Sequence, residues 1–338
     1  MLNISISNDS QYYTLSNTPK QISESLNCYM NSLLNCLYYI KELRDYLIEN
    51  KNYFTKEQRV CKIISSIMYK LKYNASEYIK PEELQAIIGD KNNYIIGGIA
   101  GDSNCIFSSI IYLFLSELSR NYFREIDDNT DNISSVKCDS SNKKQVFQSL
   151  YNEIDKKNII NQIFLGYYET VYQCENNIFT NIYSIQNEYY INFNLEQIQK
   201  YYNNLENITI TQCFEYYFRK KGYTKFYCSK CDTYEINNFE EKIYKPPLIL
   251  VIVLNKGNVF DEFFIPDEIL DLSKYIDENE YKNEGHFKLI SYSAQYSACC
   301  MTDDNDTYYY NKTVTKNITE SEMKSDEPLL LFYRQYYW

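Results

Sequence analysis

Asn27-Cys28-Tyr29-Met30-Asn31-Ser32-Leu33-Leu34-Asn35-Cys36-Leu37 opens the strongest helical pattern in the chain. Met30, Leu33, Leu34, Leu37, Ile40, Leu43 and Leu47 recur at three- and four-residue steps, which predicts an amphipathic helix over about 28–49. A cysteine in the first turn of such a helix sits among free amide N–H groups at the positive end of the helix dipole. Both favour the thiolate, the nucleophilic form. The same position also suits a buried thiol packed against the next helix.

The rest of the composition narrows the chemistry. The 338 residues hold 34 Lys+Arg against 45 Asp+Glu, a net charge of −11, which argues against nucleic acid as a partner. There is one histidine, His286, so any mechanism needing two histidines, or a metal held mainly by imidazole, is excluded. Only 8 glycines are present, and Gly97-Gly98 to Gly101 lacks a following Lys-Ser/Thr, so it reads as a turn rather than a phosphate loop. The polar stretch 1–21 reads as a leader without an apolar targeting core, and no apolar run is long enough to span a bilayer. The expected location is cytoplasmic or nuclear, with no membrane partner. There the 11 cysteines are expected to be reduced.

Two further helices are predicted over about 57–74 and Cys105–Leu118, the latter opening after the capping cluster Asp102-Ser103-Asn104. Residues 124–147, rich in Asp, Asn, Ser and Lys, read as a mobile insertion. From about 160 onward alternation takes over. Strands are predicted at Ile163–Tyr172, Phe226–Tyr227, Glu240–Tyr244, Leu248–Leu254, Phe287–Tyr292 and Leu329–Tyr333, with one helix near 211–221. Helices first and strands later give an α+β fold.

Several boxes lie in one order along the chain. The Cys28–Leu37 stretch is followed by Asp102-Ser103-Asn104 with Ile106-Phe107, then by Phe226-Tyr227-Cys228-Ser229-Lys230-Cys231. Pro247-Leu248-Ile249-Leu250 with Leu254-Asn255-Lys256, Asp271-Leu272-Ser273-Lys274-Tyr275 and Leu330-Leu331-Phe332-Tyr333-Arg334 complete the series. Together they resemble the boxes of the ubiquitin-specific proteases, over roughly residues 22–335. These are papain-like cysteine deubiquitinases. The resemblance implies a helical thumb (about 22–125), β fingers (about 160–235) and a β palm (about 236–336). It also implies ubiquitin or a ubiquitin-like protein, with its conjugates, as partner. The basic ubiquitin tail suits the acidic chain.

Thiol proteolysis needs a Cys to attack, a His to take and return the proton, and an Asn or Asp to orient the His. By resemblance, Cys28 holds the nucleophile position and Asn311, in Tyr308-Tyr309-Tyr310-Asn311, the orienting position. The base is missing where the resemblance places it, among Ser297–Asp304. Gly285-His286-Phe287 mimics the family's Gly-His-Tyr but falls one strand earlier, which leaves His286 as the only candidate base. The family's oxyanion Asn corresponds to Ser23, whose hydroxyl has a different reach. Cys228 and Cys231 have zinc-knuckle spacing, and Cys174 with Asn177 stands where the first knuckle pair belongs. A structural zinc there would have three thiolates, with Asn177 in the fourth position; the alternative is a lapsed knuckle of three ordinary thiols. No cofactor is expected for catalysis.

Three readings follow. The chain binds ubiquitin with a degenerate active site and impaired or absent hydrolysis. Or it is an active deubiquitinase using Cys28 with His286 or a partner's histidine. Or it is a scaffold that no longer binds ubiquitin.

Overall fold

The computed structural model describes residues 24–73, 82–91, 103–118, 136–139, 141–154, 156–173, 181–203, 207–219, 221–228, 233–256, 266–277, 279–294, 297–302, 307–310, 314–316 and 327–336. The helix expected over 28–49 is two helices, α1 (Glu24–Tyr38) and α2 (Lys41–Glu49). The amides of Tyr39 and Ile40 reach back only three residues, to the carbonyls of Cys36 and Leu37 at 3.1 and 3.2 Å, and Ile40 then turns extended. No Gly or Pro breaks the helix. The run Tyr38-Tyr39-Ile40, aromatic and β-branched, supplies the weak point. The apolar stripe survives the break, since Leu37, Ile40, Leu43 and Leu47 are all buried.

Next come α3 (Arg59–Tyr73), α4 (Glu82–Lys91) and α5 (Ser103–Leu118). The buried Glu117 carboxylate of α5 accepts from the Val60 and Cys61 amides, each at 2.9 Å, and so caps the positive end of α3. The remaining elements in chain order are β1 (Val136–Asp139), α6 (Lys143–Glu153), α7 (Ile159–Phe164), β2 (Gly166–Gln173), β3 (Asn181–Glu188), β4 (Ile191–Asn194), α8 (Leu195–Tyr201) and α9 (Ile210–Tyr217). Then follow β5 (Lys221–Cys228), β6 (Thr233–Lys245), β7 (Ile249–Asn255), β8 (Ile269–Asp271), β9 (His286–Ala294), β10 (Ala298–Met301), β11 (Thr307–Tyr310), β12 (Val314–Lys316) and β13 (Pro328–Gln335). Among the described residues no helix is long and apolar enough to cross a membrane.

Two sequence expectations shift here. The strand expected from Ile163 begins only at Gly166, because Asn158 accepts the Ile160 amide at 3.0 Å and starts a short helix first. Part of the stretch read as a mobile insertion forms β1, paired with β3, and the start of α6. Phe147 of that helix packs on Tyr167 and Tyr244.

The strands make two sheets. One has the order β12-β11-β10-β9-β13-β7-β4, with β8 also pairing β9; β4 and β7 are parallel and its other pairings antiparallel. The other has the antiparallel order β1-β3-β2-β6-β5. In the larger sheet, alternate residues enter different cores. Ile249, Val251, Val253, Leu330 and Phe332 pack beneath α1, α2, α3, α5 and α7. Leu250, Ile252, Leu254, Leu331 and Tyr333 face α8 and α9 on the other side. Burial on both faces explains why Leu248–Leu254 is apolar throughout. The architecture is thus an α+β, papain-like fold: a helical thumb on one face of a palm sheet, with a smaller finger sheet beside it.

In the finger sheet, β6 changes partners. Its residues 238–245 pair β2, whereas residues 233–239 pair β5. The buried Glu169 of β2 meets the Lys143 ammonium at 2.7 Å. Burial, the largest influence on Glu169, raises its pKa, and Lys143 offsets part of that, leaving it at about 6 against an ordinary 4.5. The folded protein therefore holds this proton more tightly than the unfolded chain does. The stabilisation so gained is fully present below about 4.5 and is lost as pH rises through about 6.

Glu169→Gln should remove that slope. By urea unfolding, wild-type stability relative to the variant is expected to fall by about 2 kcal/mol as pH rises from about 4 to about 7. Phe332 is fully buried, edge-on to Phe107 at 5.8 Å. Phe332→Ala is expected to cost about 3–5 kcal/mol in the same assay, and Tyr53→Ala, at an 80% exposed ring, less than about 0.5 kcal/mol.

Candidate active site

α1 lies across β9 and β10 of the palm sheet. Met30, Leu33, Leu34, Cys36 and Leu37 are fully buried and share a core with Ala298 and Cys300 of β10. Cys28 is the fifth residue of α1, a turn further in than the sequence pattern implied. At that position its own amide is in reach of the Glu24 carbonyl, and the free amides belong to the residues before it. Its backbone is therefore fixed by a helix whose next three turns are packed into the core. Ser23, the oxyanion position, lies outside the described residues.

At its C-terminal end this helix is tied to the strand that precedes Asn311. The Tyr39 hydroxyl lies 2.8 Å from the Tyr310 hydroxyl, and the two rings meet at 6.2 Å. The Tyr308 ring stacks on Tyr310 and lies 6.4 Å from Tyr39. Burial, then the neighbouring phenol and thiol, push the Tyr39 hydroxyl far above its ordinary value; burial, then the Cys300 thiol, do the same for Tyr310. Both hydroxyls therefore stay neutral, one donating and the other accepting. Burial, followed by the adjacent Cys36, also raises the Cys300 thiol well above its usual range. Burial raises Cys61 and Cys213 as well. These three thiols stay protonated and are poor nucleophiles.

The strand register defines where the remaining groups stand. Ser293, Ala298, Tyr310 and Val314 form one row across β9, β10, β11 and β12. Ala294 donates its amide to the Ser297 carbonyl at 2.8 Å, closing the turn between β9 and β10. Ser297, just before Ala298, is buried. Asn311, next after Tyr310 in the chain, lies outside the described residues.

His286 begins β9 at its other end. Ser293 lies seven residues further along the strand, about 23 Å away. It pairs with Asp271 of β8, and its Nδ1 lies 3.6 Å from the Asp271 carboxylate. Burial tends to raise Asp271, but hydrogen bonds from the Ser273 hydroxyl and amide, with His286 nearby, outweigh it and lower the net value. The His286 backbone carbonyl accepts from the Tyr336 amide at 3.0 Å. The structure thus brings the Cys28 helix and the Tyr310 end of β11 together, and sets His286 at the far end of the sheet from that row. The Tyr39–Tyr310 link had no signal in the sequence, where Tyr39 is one of 38 tyrosines.

Of the zinc-knuckle residues, Cys174, Asn177 and Cys231 lie outside the described residues, and only the backbone of Cys228 is described, at the end of β5. β2 and β5 end toward the same edge of the finger sheet. Gln173, which precedes Cys174, pairs Asn238, whereas Cys228 pairs Thr233, five residues further along β6 or about 17 Å.

The sequence profile of the family described as Ubiquitin carboxyl-terminal hydrolase matches residues 23–333. Two Arabidopsis thaliana proteins, ubiquitin carboxyl-terminal hydrolases 9 and 10, are each 26% identical over 152 residues, covering 38% of this chain and 16% of their own length. The matched region is thus about one sixth of those relatives. Among solved structures, the Ubp8/Sgf11/Sus1/Sgf73 SAGA DUB module bound to monoubiquitin superposes with a TM-score of 0.68 at 15% identity, covering 92% of this chain and 67% of that one. The same module bound to ubiquitin aldehyde gives 0.64 at 15% identity, with 92% and 68% covered. The chain belongs to the ubiquitin carboxyl-terminal hydrolase family, as a divergent member of its ubiquitin-specific protease branch.

Tyr39→Phe and Tyr310→Phe are each expected to cost about 1 kcal/mol of stability, with a coupling energy of about 0.5–1.5 kcal/mol in a double-mutant cycle by chemical denaturation. Full additivity would show that the phenol pair does not hold α1 to β11.

Proposed function

We propose that this chain binds ubiquitin or a ubiquitin-like protein as its family does, and hydrolyses its conjugates poorly or not at all. The SAGA modules it resembles hold monoubiquitin and ubiquitin aldehyde, which supports ubiquitin as the occupant. The observation that carries the loss of hydrolysis is the place of the one histidine. It sits about 23 Å along β9 from the row that holds Ala298 and Tyr310.

The chemistry that remains is partial. Cys28 is the nucleophile position, and its thiolate would attack the carbonyl carbon of the scissile amide. The reaction then needs a group beside that sulfur to take the thiol proton and deliver it to the leaving amine. Asn311 is the orienting position, and it follows the residue paired with Ala298. The residue before Ala298 is Ser297, whose hydroxyl cannot serve as a base near neutral pH. Without the base, catalysis falls to the residual supplied by binding and whatever oxyanion stabilisation Ser23 affords. A thiol keeps its own reactivity toward electrophiles, because a few per cent is thiolate at neutral pH.

A second reading has one observation in its favour. His286 already has a carboxylate, Asp271, 3.6 Å from Nδ1, the arrangement an active imidazole base uses. An active deubiquitinase would bring that pair, or a partner's histidine, to Cys28.

Both readings meet one experiment. Ubiquitin carrying a C-terminal electrophile, and a fluorogenic ubiquitin amide, are each presented to wild type, Cys28→Ala, His286→Ala and Ser297→His. Labelling is expected in wild type, to vanish with Cys28→Ala and to persist with His286→Ala. Turnover of the amide is expected near background, rising at least about tenfold in Ser297→His, which returns an imidazole beside the Asn311 strand. Robust wild-type turnover abolished by His286→Ala would overturn the proposal in favour of the second reading. No ubiquitin binding by calorimetry would leave only a scaffold.

A further inference from the structure

The His286 end of the palm sheet carries a recess that the candidate active site does not use. It is a cavity of about 320 Å³ between the end of α6, α7, the Lys245–Leu248 crossing from β6 to β7, and the last residues of β13. That volume falls within the range that holds small organic ligands. Gln335 fixes one wall, donating its amide to the Leu248 carbonyl at 2.9 Å and its side-chain nitrogen to the Glu284 carbonyl at 2.8 Å.

The charge lining it is unusual for so acidic a chain. The Lys156 and Lys245 ammonium groups lie 4.1 and 4.8 Å from the centre of the same Tyr151 ring. They are therefore within about 9 Å of each other and repel. Lys245 also lies 5.5 Å from the Tyr281 ring. Lys156 donates to the neutral Asn152 carbonyl oxygen at 2.8 Å. Among the described residues neither lysine has an ion pair with a carboxylate. The one acid in the lining, Glu284, is engaged by Gln335 at 3.4 Å. Attraction to the ring face offsets part of the repulsion, but the pair lacks the negative charge that would neutralise it.

Part of the lining is apolar. Tyr151 stacks on Phe147 and is held by Tyr167 at 5.9 Å, while Leu165, Pro246 and Pro247 close the sides. Two ammonium groups within about 9 Å of each other on one rim match a doubly charged group such as a phosphate monoester. Rings and prolines match a planar apolar body.

We propose that this recess binds a small aromatic phosphate, with Lys156 and Lys245 on the phosphate and the ring against the Pro246–Pro247 wall. The site stands apart from Cys28 and does not rest on the ubiquitin reading.

The test is calorimetry of the full chain with phenyl phosphate at low salt. Saturable binding is expected, weakened at least about tenfold by Lys245→Gln and by Lys156→Gln and unchanged by Lys70→Gln on α3. Circular dichroism should confirm that each variant is folded. Labelling by the ubiquitin electrophile should be the same in all of them. Absence of saturable binding, or equal binding by wild type and Lys245→Gln, would overturn the site. Inorganic phosphate binding as tightly as phenyl phosphate would overturn the role of the ring, and benzyl alcohol doing so would overturn the role of the charge. Adenosine monophosphate and O-phosphotyrosine, run in parallel, distinguish a nucleotide from an amino-acid phosphate as the source.

Discussion

The alternation of side chains along β7 and β13 is the constraint on which the molecule depends. Each strand gives one set of residues to the core beneath the thumb helices and the other to the core beneath α8 and α9. A one-residue slip of either strand would exchange the two sets. The slip would also move every residue of β9, which pairs with β13 over most of its length. Because β10 and β11 are built outward from β9, the Ser293–Ala298–Tyr310 row inherits its place from this central register. The geometry of the candidate site is therefore decided two strands away from it.

The helix that carries Cys28 is held against that row by two different means. Its apolar face supplies non-directional burial against Ala298 and Cys300, which fixes distance but little else. The Tyr39–Tyr310 hydrogen bond is directional and sits at the helix end, where a small rotation would break it. It is also insulated from pH, since burial keeps both phenols neutral through the physiological range.

How much of this was legible in the sequence varies with the length scale of the signal. The stripe from Met30 to Leu47 and the apolar runs at Leu248–Leu254 and Leu329–Tyr333 report burial directly, and helices and strands stand there. The break at Tyr39 left no mark, because the chain resumes the same stripe one residue later. The strand at 136–139 was hidden because its support comes from β3, some fifty residues away, and not from its own pattern. The short helix α7 was lost inside an apolar run that suits either state. Of the site, the motif order pointed to Cys28 and Asn311, and the single His286 could be counted. Its separation from the Tyr310 row could not, because that depends on which end of β9 faces which turn.

The change of partners along β6 has a mechanical meaning. Among the described residues only Phe239 is paired on both sides, to Tyr172 and to Lys221, so the five-stranded sheet is in effect two pieces lapped over one residue. A load applied at the Cys228 end would be carried outward by a two-stranded ribbon and received at that lap joint, with no other described strand beside β6 to share it beyond. Such a ribbon twists and bends far more readily than a multi-stranded sheet. Any partner gripped at its tip would feel a sprung lever rather than a rigid wall, with its fulcrum at Phe239.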